Sequence, residues 1–388
     1  MILLNSSYVK SFVYILFVYS GMIKWLPLPV DPTLLFGILA TVIIVFSLLS
    51  RKLAISKHVF VILFLLISFA LYSVFTSVYS PSQIFWKQKA LSIILLIITL
   101  VYPVICFKNH TDFDKIIYIF RFVSTTAALI IFVLLISGNL TVITGSRVGL
   151  ESSGIPDYLV IGELLGIGVL SYLYGSDLIC KIFAFFIFSM LVLLGARGPF
   201  LFVIIVSSIY FSLVNYRTLL NLKSSFILVF FGCMFWLTAQ FWSGAELLIT
   251  RLSVFSDFSQ DESSLERIVA FQHGFNAFIE NPFWGLGLGG YGPYAYQVDE
   301  NVYPHNILIE IGAELGVFGL ALFVAGMIYV FKLSRRHIEF PHMQIYFAIF
   351  LFVALNYLKS GGLIDARKLF ITIGIIISYG NFRYTIRS

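Results

Sequence analysis

The chain of 388 residues is hydrophobic at 60% of its positions and charged at only 11%, with a mean hydropathy of +0.98. A globular domain carries about 25% charged residues, so this composition excludes a soluble globular protein and indicates lipid as the solvent. The net charge of +6 is spread over many segments rather than clustered. That spread indicates membrane topology and not nucleic-acid binding.

Apolar stretches long enough to cross a bilayer recur along the whole chain. A spanning helix needs about 20 mostly apolar residues, and on this basis the sequence predicts an all-α integral membrane protein with about 12 transmembrane helices. We expect residues 1–388 to form a single polytopic domain. The predicted spans are 11–26, 32–50, 58–79, 87–106, 118–137, 158–174, 177–196, 198–216, 222–243, 305–331, 342–358 and 364–380.

The distribution of basic residues predicts the orientation of these spans. If the N-terminus lies in the cytoplasm, most of the 25 Lys and Arg residues fall in cytoplasmic segments. This positive-inside bias predicts that both termini lie in the cytoplasm. The opposite, periplasmic side still carries several arginines, and these need an explanation of their own.

One long periplasmic loop, residues 244–304, separates the ninth and tenth spans. Its middle predicts an amphipathic helix that begins with a capping box of Ser263 and Glu266 and ends at Asn281-Pro282. Such a helix is expected to lie in the membrane interface with its phenylalanine side towards the lipid. Its apolar positions are Leu265, Ile268, Phe271, Phe275 and Phe278.

The sequence gives no reason to expect a metal or a cofactor for the reaction. The three cysteines have no metal-ligand spacing, and we expect no carboxylate pair to hold a metal with a nucleotide sugar. The stretch Gly285–Gly290 has the letters of a dinucleotide fingerprint, but it does not join a strand to a helix, so a turn explains it better. We therefore expect no metal and no cofactor.

Three of the arginines predicted on the outer side are candidate site residues: Arg147, Arg197 and Arg267. Arginine near the hydrocarbon region costs at least about 2.5 kcal/mol, so it is seldom kept without a partner. Each could snorkel to the interface or pair with Glu163 or Glu151. A guanidinium also matches phosphate oxygens in bidentate fashion, so three arginines on one face favour an anionic, diphosphate-bearing lipid head group as the ligand.

A histidine and several polar residues open the predicted tenth span. His305 follows Pro304, and a neutral imidazole there could take a proton from a sugar hydroxyl, although a capping or interface role would suit it equally. Asn306 could cap the helix or bind substrate. Glu310 and Glu314 lie one turn apart inside the bilayer, where they must be protonated, paired with arginine or facing a wet cavity.

These residues occur in segments that resemble the superfamily of O-antigen ligases and O-antigen polymerases. The segments are Gly195–Phe200, Ser264–Ile268, Asn281–Gly287 and Pro304–Gly319, of which the last, with its His-Asn and Glu-x-Gly elements, is the most specific. The motifs span roughly residues 140–325. Ala196 replaces the commoner serine before the arginine of the first segment.

The resemblance implies a metal-independent, inverting glycosyltransferase at the periplasmic face. Members take a glycan from undecaprenyl diphosphate, so the implied partners are lipid-linked oligosaccharides, as donor and acceptor, and a chain-length regulator. By the same resemblance, Arg197 and Arg267 bind the donor diphosphate, and His305 activates the acceptor hydroxyl or assists the phosphate. Arg147 is expected to bind substrate, together with Asn306, Glu310 and Glu314.

Three functions remain open at this point. The first is a polymerase that extends a lipid-linked repeat unit, and the second is a ligase that transfers the glycan to lipid A-core. The third, from another class, is a lipid-linked oligosaccharide flippase or other transporter. Transporters commonly bind their cargo at mid-membrane between repeats, whereas this chain has a long one-sided loop and polar residues on one face.

Overall fold

The computed structural model describes residues 6–20, 30–50, 54–136, 158–175, 177–214 and 262–387. Within these ranges every regular element is helical and no strand occurs, as the sequence predicts. The helices, numbered here in chain order, are α1 (Ser7–Tyr19), α2 (Pro32–Ser50), α3 (Lys57–Phe75), α4 (Phe85–Cys106), α5 (His110–Ile136), α6 (Tyr158–Leu173), α7 (Leu178–Leu194), α8 (Arg197–Val214), α9 (Glu262–Glu280), α10 (Tyr291–Tyr296), α11 (Ile307–Arg336), α12 (Pro341–Ser360) and α13 (Arg367–Arg387).

A helix occupies every predicted span except 222–243, which lies outside the described residues. Six of these helices, α2 to α5, α11 and α12, are long and apolar enough to cross a membrane. Four others, α1 and α6 to α8, are apolar but shorter. The all-helical membrane architecture is therefore confirmed, whereas the predicted number of twelve spans is not.

The candidate spans expose many large apolar side chains, which would be unfavourable in water. In α2, Leu34 is 58% exposed, Ile38 55% and Leu49 81%. Contiguous apolar surface of this kind is rare on soluble monomers but is the normal outer surface of a helix that faces lipid.

The chain is organised into two compact units. The first contains Met1–Gly21, Leu28–Ile116 and Glu262–Ser388, and the second contains Met22–Pro27 and Ile117–Asp261. In the first unit, α11 packs against α3 and α9, and α13 packs against α4 and α12. In the second unit, α6 packs against α7 and α8.

Helix α11 is interrupted at Gly316, which the sequence did not predict. This glycine has φ +63° and ψ −166°, so the ladder of helical hydrogen bonds stops there. A loop fills the break: Leu286 N–H donates to the Ala313 carbonyl at 2.9 Å, and Gly287 N–H donates to the Glu314 carbonyl at 2.8 Å. Buried backbone groups inside a bilayer need protein partners, and this loop supplies them.

The close fit of the same loop explains the glycines of the segment Gly285–Gly290. A Cβ atom on Gly285 would lie 2.4 Å from the Glu314 carbonyl carbon, and one on Gly287 would lie 2.7 Å from the Ser80 Cα. Both glycines have positive φ. The glycines therefore allow the turn to pass close to other backbone, in agreement with the turn predicted in place of a dinucleotide fingerprint.

Candidate functional site

The start of α11 holds His305 in an unusual backbone conformation. Its φ is +54°, in the left-handed region that non-glycine residues seldom adopt and that is found at functional sites more often than elsewhere. The next residue, Asn306, caps α11, since its Oδ1 accepts hydrogen bonds from the N–H groups of Leu308 at 3.0 Å and Ile309 at 3.1 Å. Its Nδ2 also donates to the Leu358 carbonyl at 2.7 Å. Asn306 is thus a helix cap, one of its two predicted roles.

The imidazole of His305 is half-buried beside Tyr303, with 4.6 Å between the ring centroids. Its Nδ1 is buried and makes no hydrogen bond with any described residue. Burial lowers the pKa of His305, the positive charge of Arg267 lowers it further, and Glu266 opposes both. The imidazole is therefore neutral near pH 7 and can accept a proton or a hydrogen bond.

Helix α9 brings Arg267 towards His305 through a closely packed crossing with α11. A Cβ atom on Gly274 would lie 2.6 Å from Ile309 Cγ2 and 2.9 Å from Pro304 Cβ, so only glycine allows this approach. Arg267 precedes Gly274 by seven residues and therefore lies on the same helix face, two turns away. From this position Arg267 is near enough for its charge to lower the pKa of His305, and that the two residues form one site stays a prediction.

A neighbouring face of α9 is exposed and apolar, as predicted for an interfacial helix. Phe271 is 41% exposed and Phe275 is 46% exposed, in line with Leu265 and Ile268. One detail of the prediction is wrong: Phe278 faces the protein, where it lies against Gly312 of α11. The exposed apolar stripe of α9 is therefore narrower than the sequence suggested. The small residues of α9 line the crossing with α11, and Phe278 packs beside them.

The ends of α9 agree with the sequence at one end only. The helix ends at Glu280, directly before the predicted stop at Asn281-Pro282. It begins at Glu262, so Ser263 lies inside the helix and is not the predicted N-cap. Of the predicted periplasmic loop, residues 244–261 lie outside the described residues, and the remainder contains α9 and α10.

Glu310 and Glu314 are paired with Lys89, which sequence reasoning did not assign to the site. Lys89, in α4, donates to Glu310 Oε1 and, at 2.8 Å, to Glu314 Oε1. All three residues are 1% exposed. The sequence predicted that the two glutamates would be protonated, paired with arginine or facing a wet cavity. The structure corrects this: their partner is a lysine, and its ammonium group and the carboxylates neutralise one another away from water.

Backbone groups complete the hydrogen bonding of the two carboxylates. Gly289 N–H donates to Glu314 Oε2 at 3.0 Å, and Leu363 N–H donates to Glu310 Oε2 at 2.7 Å. The cluster thereby ties α4, the glycine turn and the segment after α12 to the first turns of α11. These contacts give the two glutamates a structural role, and substrate binding by them stays a prediction.

Asp299 makes a second connection between the loop before His305 and the start of α4. Its carboxylate accepts hydrogen bonds from Ser82 Oγ at 2.5 Å and from the N–H groups of Gln83 at 2.8 Å and Ile84 at 2.7 Å. The residue thus caps the first turn of α4 from a distant segment. The loop that carries His305 is therefore held by Asp299 on one side of the histidine and by Asn306 on the other.

Arg197 lies in the second compact unit, at the first residue of α8. The predicted interruption between two apolar helices is confirmed, because Gly195 ends α7 with φ +70° and its N–H donates to the Val192 carbonyl at 3.0 Å. Gly162 of α6 lies against this corner, where a Cβ atom would be 2.6 Å from Ala196 Cβ. The neighbouring Glu163 is buried. That Arg197 joins Arg267 and His305 stays a prediction.

Arg147 and Glu151 lie outside the described residues, so the predicted substrate role of Arg147 also stays a prediction.

Comparison with protein families places most of these residues in a known domain. Residues 182–324 match a family model described as O-antigen ligase. This segment is an O-antigen ligase family domain. The resemblance read from the motifs is thereby confirmed for residues 182–324, and the apolar helices indicate a multi-pass membrane protein. No curated protein matches the chain.

The O-antigen ligase domain contains Arg197, Arg267 and His305 but not Lys89. Lys89 lies in α4, outside the matched segment, and yet neutralises two carboxylates of the domain. A sequence signal for it did exist, since a lysine near the start of an apolar span needs a buried or interfacial partner. Asp299 gave no such signal, because a carboxylate in a polar loop is ordinary.

Proposed function

We propose that the protein is an O-antigen, or surface polysaccharide, polymerase. It would transfer a glycan from undecaprenyl diphosphate onto a lipid-linked repeat unit at the periplasmic face of the inner membrane, with inversion and without a metal. The observation that supports this most directly is a neutral His305, whose Nδ1 makes no hydrogen bond with any described residue, with the charge of Arg267 acting on it and an exposed apolar helix face beside it. A cation, a proton acceptor and a lipid-facing surface are what a diphosphate lipid donor requires.

In this mechanism the acceptor hydroxyl attacks the anomeric carbon of the donor sugar from the side opposite the diphosphate. The new glycosidic bond forms as the bond from the anomeric carbon to the diphosphate oxygen breaks, and undecaprenyl diphosphate leaves with the bonding electrons. The proton of the acceptor hydroxyl passes to a ring nitrogen of His305, which is available because the imidazole is neutral. If His305 only hydrogen-bonds the phosphate, the proton of the acceptor hydroxyl passes instead to an oxygen of the departing diphosphate.

Arginines would supply most of the rate enhancement. Negative charge grows on the diphosphate as it leaves, so a guanidinium aimed at its oxygens stabilises the transition state more than the ground state. Arg267 fills this role next to His305, and Arg197 is proposed as the second diphosphate ligand. Arg147 is proposed as a further contact to the substrate.

The alternative within the same chemistry is an O-antigen ligase that transfers the glycan to lipid A-core. It is favoured by the description of the matching family, whereas the divergent, phenylalanine-rich sequence favours the more varied polymerases. The two differ only in the acceptor. Deletion of the gene followed by gel electrophoresis of the lipopolysaccharide separates them: a single repeat unit on the core indicates a polymerase, and bare core with accumulating lipid-linked polymer indicates a ligase.

The same gel tests the transporter alternative, because a flippase deletion would leave undecaprenyl-linked units on the cytoplasmic side. The broken helix α11 does not favour a transporter. At that break, the carbonyls of Ala313 and Glu314 already accept hydrogen bonds from the glycine turn, and the nearby carboxylates are occupied by Lys89. These described groups are therefore satisfied within the protein.

The site assignment is tested by complementation of the deletion strain with Arg197→Ala, Arg267→Ala and His305→Ala. Each should abolish long surface glycan while the protein is still present in the membrane. Arg267→Lys should remain severely impaired, since lysine loses the bidentate geometry. His273→Ala, on the same helix as Arg267, is the matched control and should restore normal polymer. Normal polymer length in all three alanine variants would exclude this site.

A further inference from the structure

A cluster of two histidines and one aspartate lies at the far end of the first compact unit from His305. His110 and Asp114 occupy one face of α5, four residues apart, with 3.2 Å between His110 Nδ1 and Asp114 Oδ2. His342, near the start of α12, reaches the other carboxylate oxygen, with 2.7 Å between its Nε2 and Asp114 Oδ1. The three ligand atoms lie within 4.8 Å of one another.

Aromatic packing holds the two imidazoles in this arrangement. The rings of His110 and His342 meet edge to face with centroids 4.6 Å apart. The ring of His342 also stacks on Tyr379 of α13 at 5.7 Å and 22°, and its side chain is only 16% exposed. The cluster is thus built from three helices, and its most buried ligand is fixed by packing before any ion binds.

We propose that His110, Asp114 and His342 bind one divalent transition-metal ion of the zinc type. Two imidazole nitrogens and a carboxylate oxygen are a common ligand set for zinc, which binds them at about 2.0–2.2 Å in tetrahedral geometry. Imidazole ligands argue against magnesium and calcium, which prefer oxygen. Three protein ligands leave the fourth position to water, which the exposed side of the cluster can supply. On binding the ion, the carboxylate of Asp114 would exchange its hydrogen bonds with His110 and His342 for a bond to the metal, and each imidazole would also bind the metal.

The position of this site indicates a structural role and separates it from the proposed glycosyl transfer. Helix α11 begins beside His305, is interrupted at Gly316 and then continues to Arg336, and this second part alone is roughly 30 Å long at 1.5 Å per residue before α12 begins at Pro341. The ion would cross-link α5 to α12, which are 228 residues apart in sequence at Asp114 and His342. Transfer at His305 would not involve it.

The test uses the full-length protein purified in detergent, stripped with a chelator and then titrated separately with Zn²⁺ and with Co²⁺. We expect one Zn²⁺ per chain, a rise in the thermal unfolding temperature on zinc addition, and visible d–d absorption bands with cobalt. Asp114→Asn and His342→Gln should each weaken zinc binding by more than about 10-fold, since loss of even an outer partner of a metal ligand costs that much.

His58→Gln is the matched control, because His58 lies near Arg336 and outside the cluster, with 2.8 Å between its Nε2 and Arg336 Nη1. It should bind zinc as the unchanged protein does. Elution of each variant as a monodisperse peak shows that the protein is folded. The proposal is overturned if the unchanged protein takes up no stoichiometric zinc, or if Asp114→Asn and His342→Gln bind it as well as His58→Gln does. Either result would leave Asp114 as a hydrogen-bonding link between two histidines.

Discussion

Replacement of Lys89 by methionine should destabilise the protein more than any other single change to the cluster around α11. Lys89 is the cation that pairs with both Glu310 and Glu314, and all three side chains are buried. Removal of one partner of a buried ion pair leaves uncompensated charge and costs about 3–5 kcal/mol. Native proteins are stable by only about 5–15 kcal/mol, so the loss should be a large share of the free energy of unfolding.

The control for Lys89→Met lies two residues away on the same helix. Lys87 is exposed, with its Nζ 5.9 Å from the centre of the Trp86 ring, so Lys87→Met should change the free energy of unfolding by less than about 0.5 kcal/mol. Unfolding of the purified proteins by a titration with SDS in mixed micelles, followed by tryptophan fluorescence, measures both. The triple variant Lys89→Met, Glu310→Gln, Glu314→Gln should recover most of the stability, because neutral amides need no cation.

The reasoning about the lysine cluster would be refuted if Lys89→Met unfolded at the same midpoint as Lys87→Met. It would also be refuted if the triple variant were less stable than Lys89→Met alone, because the damage would then come from lost packing and not from unpaired charge. A Lys89→Met protein that failed to accumulate, beside a triple variant that did, would support the electrostatic explanation.

Three further predictions follow from the site and its supports. Glu266→Gln removes a negative charge that raises the pKa of His305, so the acid limb of the pH–rate profile should move to lower pH, measured as polymer formation from lipid-linked substrate. Gly316→Ala should lower the free energy of unfolding by about 1–3 kcal/mol or more, since φ is +63° and the new Cβ would lie 2.2 Å from the Phe283 carbonyl oxygen. Asp299→Asn should cost about 1 kcal/mol, measured in the same SDS titration, because a cap of α4 is weakened.

The first two of these predictions have matched controls. Glu280→Gln changes an exposed carboxylate at the other end of α9 and should leave the pH profile unchanged; an equal shift in both variants would contradict the assignment to Glu266. Gly37→Ala, whose new Cβ would lie 3.2 Å from the Phe17 ring, should cost less than Gly316→Ala. Equal stability of the two glycine variants would contradict the strained break in α11.

The effect of pH on Asp299 has a definite sign. Burial is the largest single influence on the pKa of this carboxyl and raises it, but the hydrogen bonds from Ser82 and from the backbone N–H groups of Ile84, Gln83 and Phe85 together lower it below its usual range. A lowered pKa contributes stability that is present above the unfolded value, near 3.9, and is lost as the pH falls through the folded value. The difference between Asp299→Asn and the unchanged protein should therefore shrink in acid.

The sequence alone determined the lipid surroundings, the fold class and the family of residues 182–324. Apolar stretches of about 20 residues predict helices because a bilayer leaves the backbone no other partner, and the helices lie where these stretches were found. The motifs that carry Arg197, Arg267 and His305 identified the superfamily, because each motif consists of residues that are adjacent in the sequence and can be recognised without the fold. The end of α9 at Asn281-Pro282 was predictable for the same local reason.

Tertiary structure alone decided which polar groups became partners. Lys89 and Glu310 are 221 residues apart, Asp114 and His342 are 228 apart, and no local pattern links either pair. The break at Gly316 could not be predicted either, since a single glycine in an apolar stretch is compatible with a continuous helix. Only the packing of a distant loop against this position shows the break. Pairing of buried charges depends on which helices pack together, and that is a property of the whole fold and not of any segment.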